Sequence, residues 1–376
     1  MAIDRDERAA LVEAVRDAAA AGPREFLDEH GSPRRDERLW KLLTEQMGLA
    51  GLLVEEKDGG AGAGVAEVAL VLEQLANSLA VVPALSSLGV ATAMLRVVDT
   101  SAAAALLGEL ASGATTAAVV WPAPESYTIT PVLLAAGTPE VGAAVAVSGH
   151  ADFVLDGFDS DVLLVPATCS GVAVVVGIET SDQWVRRTAM SAMDLTRGIA
   201  SVDLTEAPGT VLGVGADVQG ALDIALVLIA AEQVGIARRC HDAAVAWAKE
   251  RVQFDRPIGQ FQAIKHQLVD LLMALELARS SLDNAVAAAE THLIERTAGT
   301  GSALSVAASV AKARGGDAAM LIADQSLHIL GGIGFTWEHD AHLYFRRAKT
   351  LEVLLGSPAA HRARCATLLL AAAANA

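Results

Sequence analysis

Two stretches of this chain carry residue types able to hold a phosphorylated ligand. The first, Arg251-Val-Gln-Phe-Asp-Arg-Pro-Ile-Gly-Gln-Phe-Gln262, offers a guanidinium, an aromatic ring and a carboxamide close together. The second, His328-Ile-Leu-Gly-Gly-Ile-Gly-Phe335, offers bare backbone at Gly331, Gly332 and Gly334. Arg251 can give a pyrophosphate two parallel charge-assisted bonds. Phe254 can give an adenine an apolar face, and the glycines let backbone approach a ligand because no Cβ intervenes. The competing roles are a surface salt bridge for Arg251 and core packing for Phe254.

Both stretches interrupt long apolar helical patterns, and those patterns divide the chain. Residues 1–114 read as an α-helical domain. Arg5 to Ala21 places Leu11, Val12 and Val15 on one face, Leu39 to Met47 is a short helix, and Val65 to Leu79 repeats apolar residues at helical spacing. Residues 115–215 read as an antiparallel β domain. Its β-rich runs are Ala117 to Val120, Ala143 to Val147, Phe153 to Leu155, Val162 to Val165, Val172 to Val176 and Gly198 to Leu204. The segment from Val147 to Gly157 is expected to form a hairpin with a strand beyond it. Residues 216–376 read as a four-helix bundle, with helices over Val218 to Arg251, Phe261 to His292, Ser302 to Leu330 and Ala341 to Ala373. The fold class expected is therefore α+β and mostly helical.

Composition narrows the function. Hydrophobic residues make up 53% of the 376 and charged ones 19%, which suits a large core with subunit contacts. A net charge of −17 argues against nucleic acid. Apolar runs such as Ala221 to Ala231 contain Asp223 and fall short of the roughly 20 residues that cross a bilayer. No membrane span is expected, and the charged start Met-Ala-Ile-Asp-Arg lacks a signal peptide's apolar core, so a cytoplasmic location is expected. Cys169, Cys240 and Cys365 are too scattered for a disulfide framework or a zinc site. His339 and His342 lack a third ligand nearby, so no metal is expected. The glycine-rich run from Lys57 to Gly64 superficially matches a phosphate-binding loop. An acidic turn rather than a strand precedes it and no lysine follows, so it reads as a plain loop.

The order of domains and both motifs resemble the acyl-CoA dehydrogenase family over essentially the whole chain. The resemblance is closest in Ala248-Lys-Glu-Arg-Val-Gln-Phe-Asp-Arg-Pro-Ile-Gly-Gln-Phe-Gln-Ala-Ile-Lys-His266 and in Leu330-Gly-Gly-Ile-Gly-Phe-Thr-Trp-Glu-His339. It extends to the N-terminal run Met47 to Gly64. In that family one subunit grips the ADP half of an FAD seated mainly in its neighbour. The resemblance assigns this grip to Arg251, Phe254, Gln262, His328, Gly331 and Gly332. His328 stands where the family often has glutamine, and either side chain can donate to an oxygen.

The chain departs from the family where the chemistry should be. The family's base is a glutamate placed in one of two positions, which here are occupied by Leu355 and by Ala225 (followed by Leu226). None of these side chains accepts a proton. The runs that hold the flavin ring correspond to Val120 to Ser126 and Phe153 to Leu155, where the family's hydroxyl is missing. The β region is also short and hydrophobic for a domain that caps a substrate. Glu232 is a substitute candidate for the base, two turns beyond Ala225 in an apolar stretch where desolvation would raise its pKa. Its competing role is a buried carboxylate satisfied by a partner, and Glu352 and Glu338 read as structural.

This pattern resembles the glutamate-lacking subunit of the heteromeric acyl-CoA dehydrogenases of steroid-degrading actinobacteria. The resemblance implies an oligomer built through the helical bundle and a catalytic acyl-CoA dehydrogenase subunit as partner. It also implies a shared FAD, an acyl-CoA substrate and an electron-transfer flavoprotein as acceptor. Two other outcomes remain open at this point: a self-sufficient homo-oligomeric dehydrogenase using Glu232, and a flavin-free structural homologue.

Overall fold

A computed structural model describes residues 5–20, 27, 33–121, 133–181 and 183–374. Helix α1 (Arg5–Ala20) buries Val15 and Ala19. Helix α2 (Glu37–Lys41) begins at Asp36, whose carboxylate accepts the Leu39 N–H at 2.9 Å, and it widens into a π-helical turn over Leu42–Gln46. Helix α3 (Val65–Asn77) follows the glycine-rich run. Its first N–H groups are taken by carboxylates: Gly64 donates to Glu67 and Ala66 to Glu290, at 2.9 and 3.0 Å. A Cβ on Gly60 would stand 2.1 Å from the Val54 carbonyl oxygen. The glycines therefore let the loop pack on itself, and its helix start is filled from within. A π-helical stretch, Ala84–Ala91, leads into α4 (Thr92–Val98), and α5 (Ser101–Ala111) closes the layer. Neither α4 nor α5 stands out in the sequence pattern.

The middle of the chain is a seven-stranded sheet that curls back on itself. Its strands are β1 (Ala117–Val119), β2 (Leu134–Gly137), β3 (Ala144–Leu155), β4 (Val162–Cys169), β5 (Val172–Glu179), β6 (Val185–Ala189) and β7 (Ile199–Val214). The order runs β1-β4-β2-β3-β7-β5, β6 adds to β7, and β4 also pairs with β5. Most pairs are antiparallel, but β1 and β2 both run parallel to β4. The hairpin expected within residues 147–157 is absent. That segment belongs to the single long strand β3, which meets β7 with register shifts at Val147/Gly149 and Ala151/Val154. The bulges use the same Gly and Asp residues that read as a turn.

Four further helices surround α6 (Val218–Glu250): α7 (Gln262–Glu295), α8 (Ala298–Leu330), α9 (Ala341–Val353) and α10 (Pro358–Ala374). By length and composition α6 and α8 are apolar enough to cross a membrane. The most apolar stretch of α6 is nevertheless wholly buried in the bundle, as in a core helix. The expected single helix from Ala341 to Ala373 is corrected to two. Leu355 and Gly356 adopt φ of +54° and +104°, which ends α9, and Pro358 opens α10. Carbonyls freed at this break are satisfied from α8 and α10. The Lys312 ammonium donates to the carbonyls of Glu352 and Gly356, each at 3.0 Å, and His361 donates to that of Leu355 at 2.9 Å.

Candidate functional site

The two motifs meet at one end of the bundle, where α6 ends, α7 begins and α8 ends. Trp247, on the last turn of α6, packs against the cluster of Leu327, Leu330 and Ala341 to which Ile333 also belongs. Gln267 of α7 donates to Gln325 of α8 at 2.6 Å, and Ser326 of α8 donates to the Cys240 carbonyl of α6 at 3.0 Å. These contacts fix the two turns side by side.

Each proposed gripping residue faces outward there. Arg251 is exposed and has no acidic partner among the described residues; its guanidinium rests 5.8 Å from the centre of the Trp247 ring. Phe254 is 86% exposed, so core packing does not explain it. It sits with Asp255 at the tip of a two-residue turn between the short strands β8 (Val252–Gln253) and β9 (Arg256–Pro257). Gln262 is exposed at the first turn of α7, within 3.5 Å of His266. A feature not evident from sequence adds to this end: no side chain caps the start of α7, so its first N–H groups point outward and favour an anion.

The glycines divide by purpose. Gly331 has φ +69° and forms the cap of α8, which by itself calls for glycine. A Cβ on Gly334 would press on Leu327 and Leu330, so packing explains that one. Gly332 has no such need, because among the described residues nothing lies within 4 Å of where its Cβ would stand. His328 is exposed, and its Nδ1 lies 2.9 Å from the Asp324 carbonyl, which can only accept. Nδ1 is therefore the protonated nitrogen, and Nε2 donates to a ligand oxygen only when the ring is an imidazolium. The ADP half of an FAD fits this surface: a free guanidinium, a bare ring, open backbone and an uncapped helix start.

The described residues at the positions that the resemblance assigns to ring and base border a much smaller space. Leu355, Phe153 and Leu155 do converge, together with Leu85, Trp121 and Ile229, around one cavity of about 20 Å³. That volume holds about one water, whereas small-molecule sites span roughly 300–1,000 Å³. Ala225 and Leu226 are fully buried on α6, and Leu355 is 3% exposed. Among the described residues, that cavity is too small for a flavin ring. The run Val120 to Ser126 falls mostly outside the described residues.

Glu232 lies buried on α6 in a network of charges. Its carboxylate is bonded by Arg197, and Arg347 Nη1 lies 3.7 Å away. Arg347 in turn binds Asp194 at 2.5 Å and donates to the Thr196 carbonyl at 2.8 Å. Asp156 accepts from the Ser86 hydroxyl at 2.5 Å, and burial pushes its carboxyl above the usual range. Two guanidiniums thus hold Glu232 as part of an ion network joining α6 to α9 and to the loop before β7. Glu352 is paired with Lys349 at 2.5 Å, and Glu338 is exposed. No cluster of metal ligands occurs among the described residues.

A helical layer, a middle sheet and a helical bundle are the architecture of the acyl-CoA dehydrogenase class. The family's N-terminal domain matches residues 5–114 and its C-terminal domain residues 215–370. The chain belongs to the acyl-CoA dehydrogenase family, whose members are flavoprotein oxidoreductases acting on acyl-CoA. It is 34% identical over 359 residues to acyl-CoA dehydrogenase IpdE2 of Mycolicibacterium smegmatis, covering 92% of this chain and 94% of that protein. Among solved structures it resembles a chain of the ChsE4-ChsE5 complex from Mycobacterium tuberculosis, with TM-score 0.83, 26% identity and 98% of each chain covered. It also resembles a Tcur3481-Tcur3483 steroid acyl-CoA dehydrogenase variant, with TM-score 0.85, 26% identity, and 98% of this chain and 99% of that one covered.

Proposed function

We propose that the chain is the glutamate-lacking subunit of a heteromeric acyl-CoA dehydrogenase and completes an FAD site in a catalytic partner. The observation that carries this reading is the contrast between its two half-sites. The residues proposed for the ADP grip are exposed, while the described residues at the place for ring and base enclose a void of about 20 Å³. Two of the structures it resembles are named as pairs of different proteins, which supports a heteromeric reading.

When bound, FAD supplies the hydride acceptor for α,β-dehydrogenation of an acyl-CoA thioester. In this chain Arg251 and the α7 start would neutralise the pyrophosphate, Phe254 would cover the adenine, and Gly331 and Gly332 would let backbone approach it. The partner would supply the base, and an electron-transfer flavoprotein would take the electrons onward. A steroid side chain is the substrate class we favour, because one similar structure is named as a steroid enzyme.

The visible spectrum tests this reading. The chain purified alone should be colourless, and co-expressed with a glutamate-bearing dehydrogenase it should give a yellow, active complex near half a flavin per chain. A yellow lone chain bleached by an acyl-CoA would replace this reading with a self-sufficient enzyme. Absence of flavin from every assembly would leave only a structural homologue.

A further inference from the structure

The turn that displays Phe254 is held in a conformation its own residues resist. Phe254 and Asp255 have φ of +54° and +63°. Two-residue turns of this kind favour Asn-Gly because both central positions are left-handed. A phenylalanine and an aspartate there are strained, and such strain persists only where the surroundings over-determine it. Burial does not supply the restraint, since the Phe254 ring is almost wholly in solvent.

A stack of side chains does. Phe254 meets Phe261 edge to face, with centroids 6.1 Å apart and planes at 82°. The Arg256 guanidinium lies 4.1 Å from the centre of the same Phe261 ring. Arg256 is also the ladder partner of Gln253, so it ties the far strand of the turn to the ring that braces the tip. Phe261 stands at the uncapped start of α7, a rigid anchor of 34 residues. We infer that Arg256 and Phe261 are positioning residues for cofactor binding: their stack sets Phe254 in its adenine-facing pose before the nucleotide arrives. Such pre-organisation raises affinity by removing the ordering cost at the moment of binding.

The inference rests on the reading that this end of the bundle grips FAD, and the test separates the two. FAD dissociation constants would be measured on the assembled complex for Arg251→Ala, Arg256→Gln, Arg256→Lys, Phe261→Leu and Phe261→Tyr. The thermal midpoint of each FAD-free complex would be recorded alongside. Phe261→Leu should weaken FAD about two- to tenfold and Arg256→Gln about two- to fivefold, with FAD-free midpoints unchanged. Phe261→Tyr and Arg256→Lys should recover most of the loss, because each keeps the ring or the cation. Arg256 is exposed, so its variants report even where a Phe261 variant misfolds. Wild-type affinity in Arg256→Gln and Phe261→Leu beside weakened Arg251→Ala would overturn this inference alone. Lowered FAD-free midpoints without an affinity change would overturn it too, as a purely structural role. Wild-type affinity in Arg251→Ala as well would sink the FAD-grip reading beneath it.

Discussion

Glu232 and Arg197 form an ion pair sealed inside the protein, with Arg347 as a second cation 3.7 Å from the same carboxylate. The pairing answers the question that Glu232 poses as a lone acid in an apolar helix. A proton acceptor needs a route to substrate, and this carboxylate faces two guanidiniums instead. Glu232→Gln should leave Arg197 buried without its ion-pair partner, while Arg347 keeps Asp194, and cost about 3–5 kcal/mol in urea unfolding. The turnover of whatever complex assembles should be unchanged. A large fall in turnover with intact stability would restore Glu232 as a base.

Arg251→Ala should strip FAD from the assembled complex. Losing a charge-assisted bond to pyrophosphate weakens binding roughly ten- to a hundredfold. Flavin occupancy after gel filtration, read at the flavin absorption band, checks this. Full occupancy would falsify the grip assigned to this residue.

Gly332→Ala separates folding from binding. None of the described residues meets the new methyl, so the FAD-free midpoint should stay where it is. FAD should bind more weakly because the methyl stands where a ligand or partner would approach. Gly331→Ala makes the contrast: its φ of +69° should make that variant less stable as well. Equal behaviour of the two variants would contradict the division of purpose between them.

Restoring the acid at the family position should not restore the chemistry. Leu355→Glu places a carboxyl at a buried site with φ +54°, beside a void of about 20 Å³. We expect a destabilised chain with a largely protonated carboxyl and no bleaching of flavin by acyl-CoA when it is tested alone. Bleaching would show that the cavity opens far more than its packing suggests.

Lys312 gives a pH dependence of known sign. Burial pushes its ammonium down to about 7 from an ordinary value of 10.5. Between those values the unfolded chain holds a proton that the folded one lacks, so stability rises with pH across that window. The contribution is complete above the unfolded value and lost as pH falls through about 7. Against Lys312→Met, wild-type stability should therefore gain up to about 1.4 kcal/mol per pH unit between pH 7 and 10. Urea unfolding of both proteins at three pH values in that range measures it. A constant difference would mean that the ammonium is not depressed.

The broad architecture is legible in the sequence because apolar spacing switches period, first near Thr115 and again near Val218. Boundaries were harder where local signals conflict. Leu354 and Leu355 continue the apolar pattern of α9, so the break before Pro358 is masked until the backbone is seen. Strand β6 (Val-Arg-Arg-Thr-Ala) lies at the edge of the sheet on β7 and alternates too weakly to be noticed. The residues proposed to grip FAD are readable as candidates because they sit in two short runs. Arg197–Glu232 and Asp194–Arg347 are not, since pairs 35 and 153 residues apart leave no local trace. Nor does the sequence reveal that Phe261 braces Phe254, which depends on a turn geometry that neither residue favours.

Helix α6 carries Ala225 near its beginning and ends at Arg251, about 39 Å further along its axis. A change near Ala225 thus falls far from the residues around Arg251, and in the role proposed here the two half-sites can be varied separately.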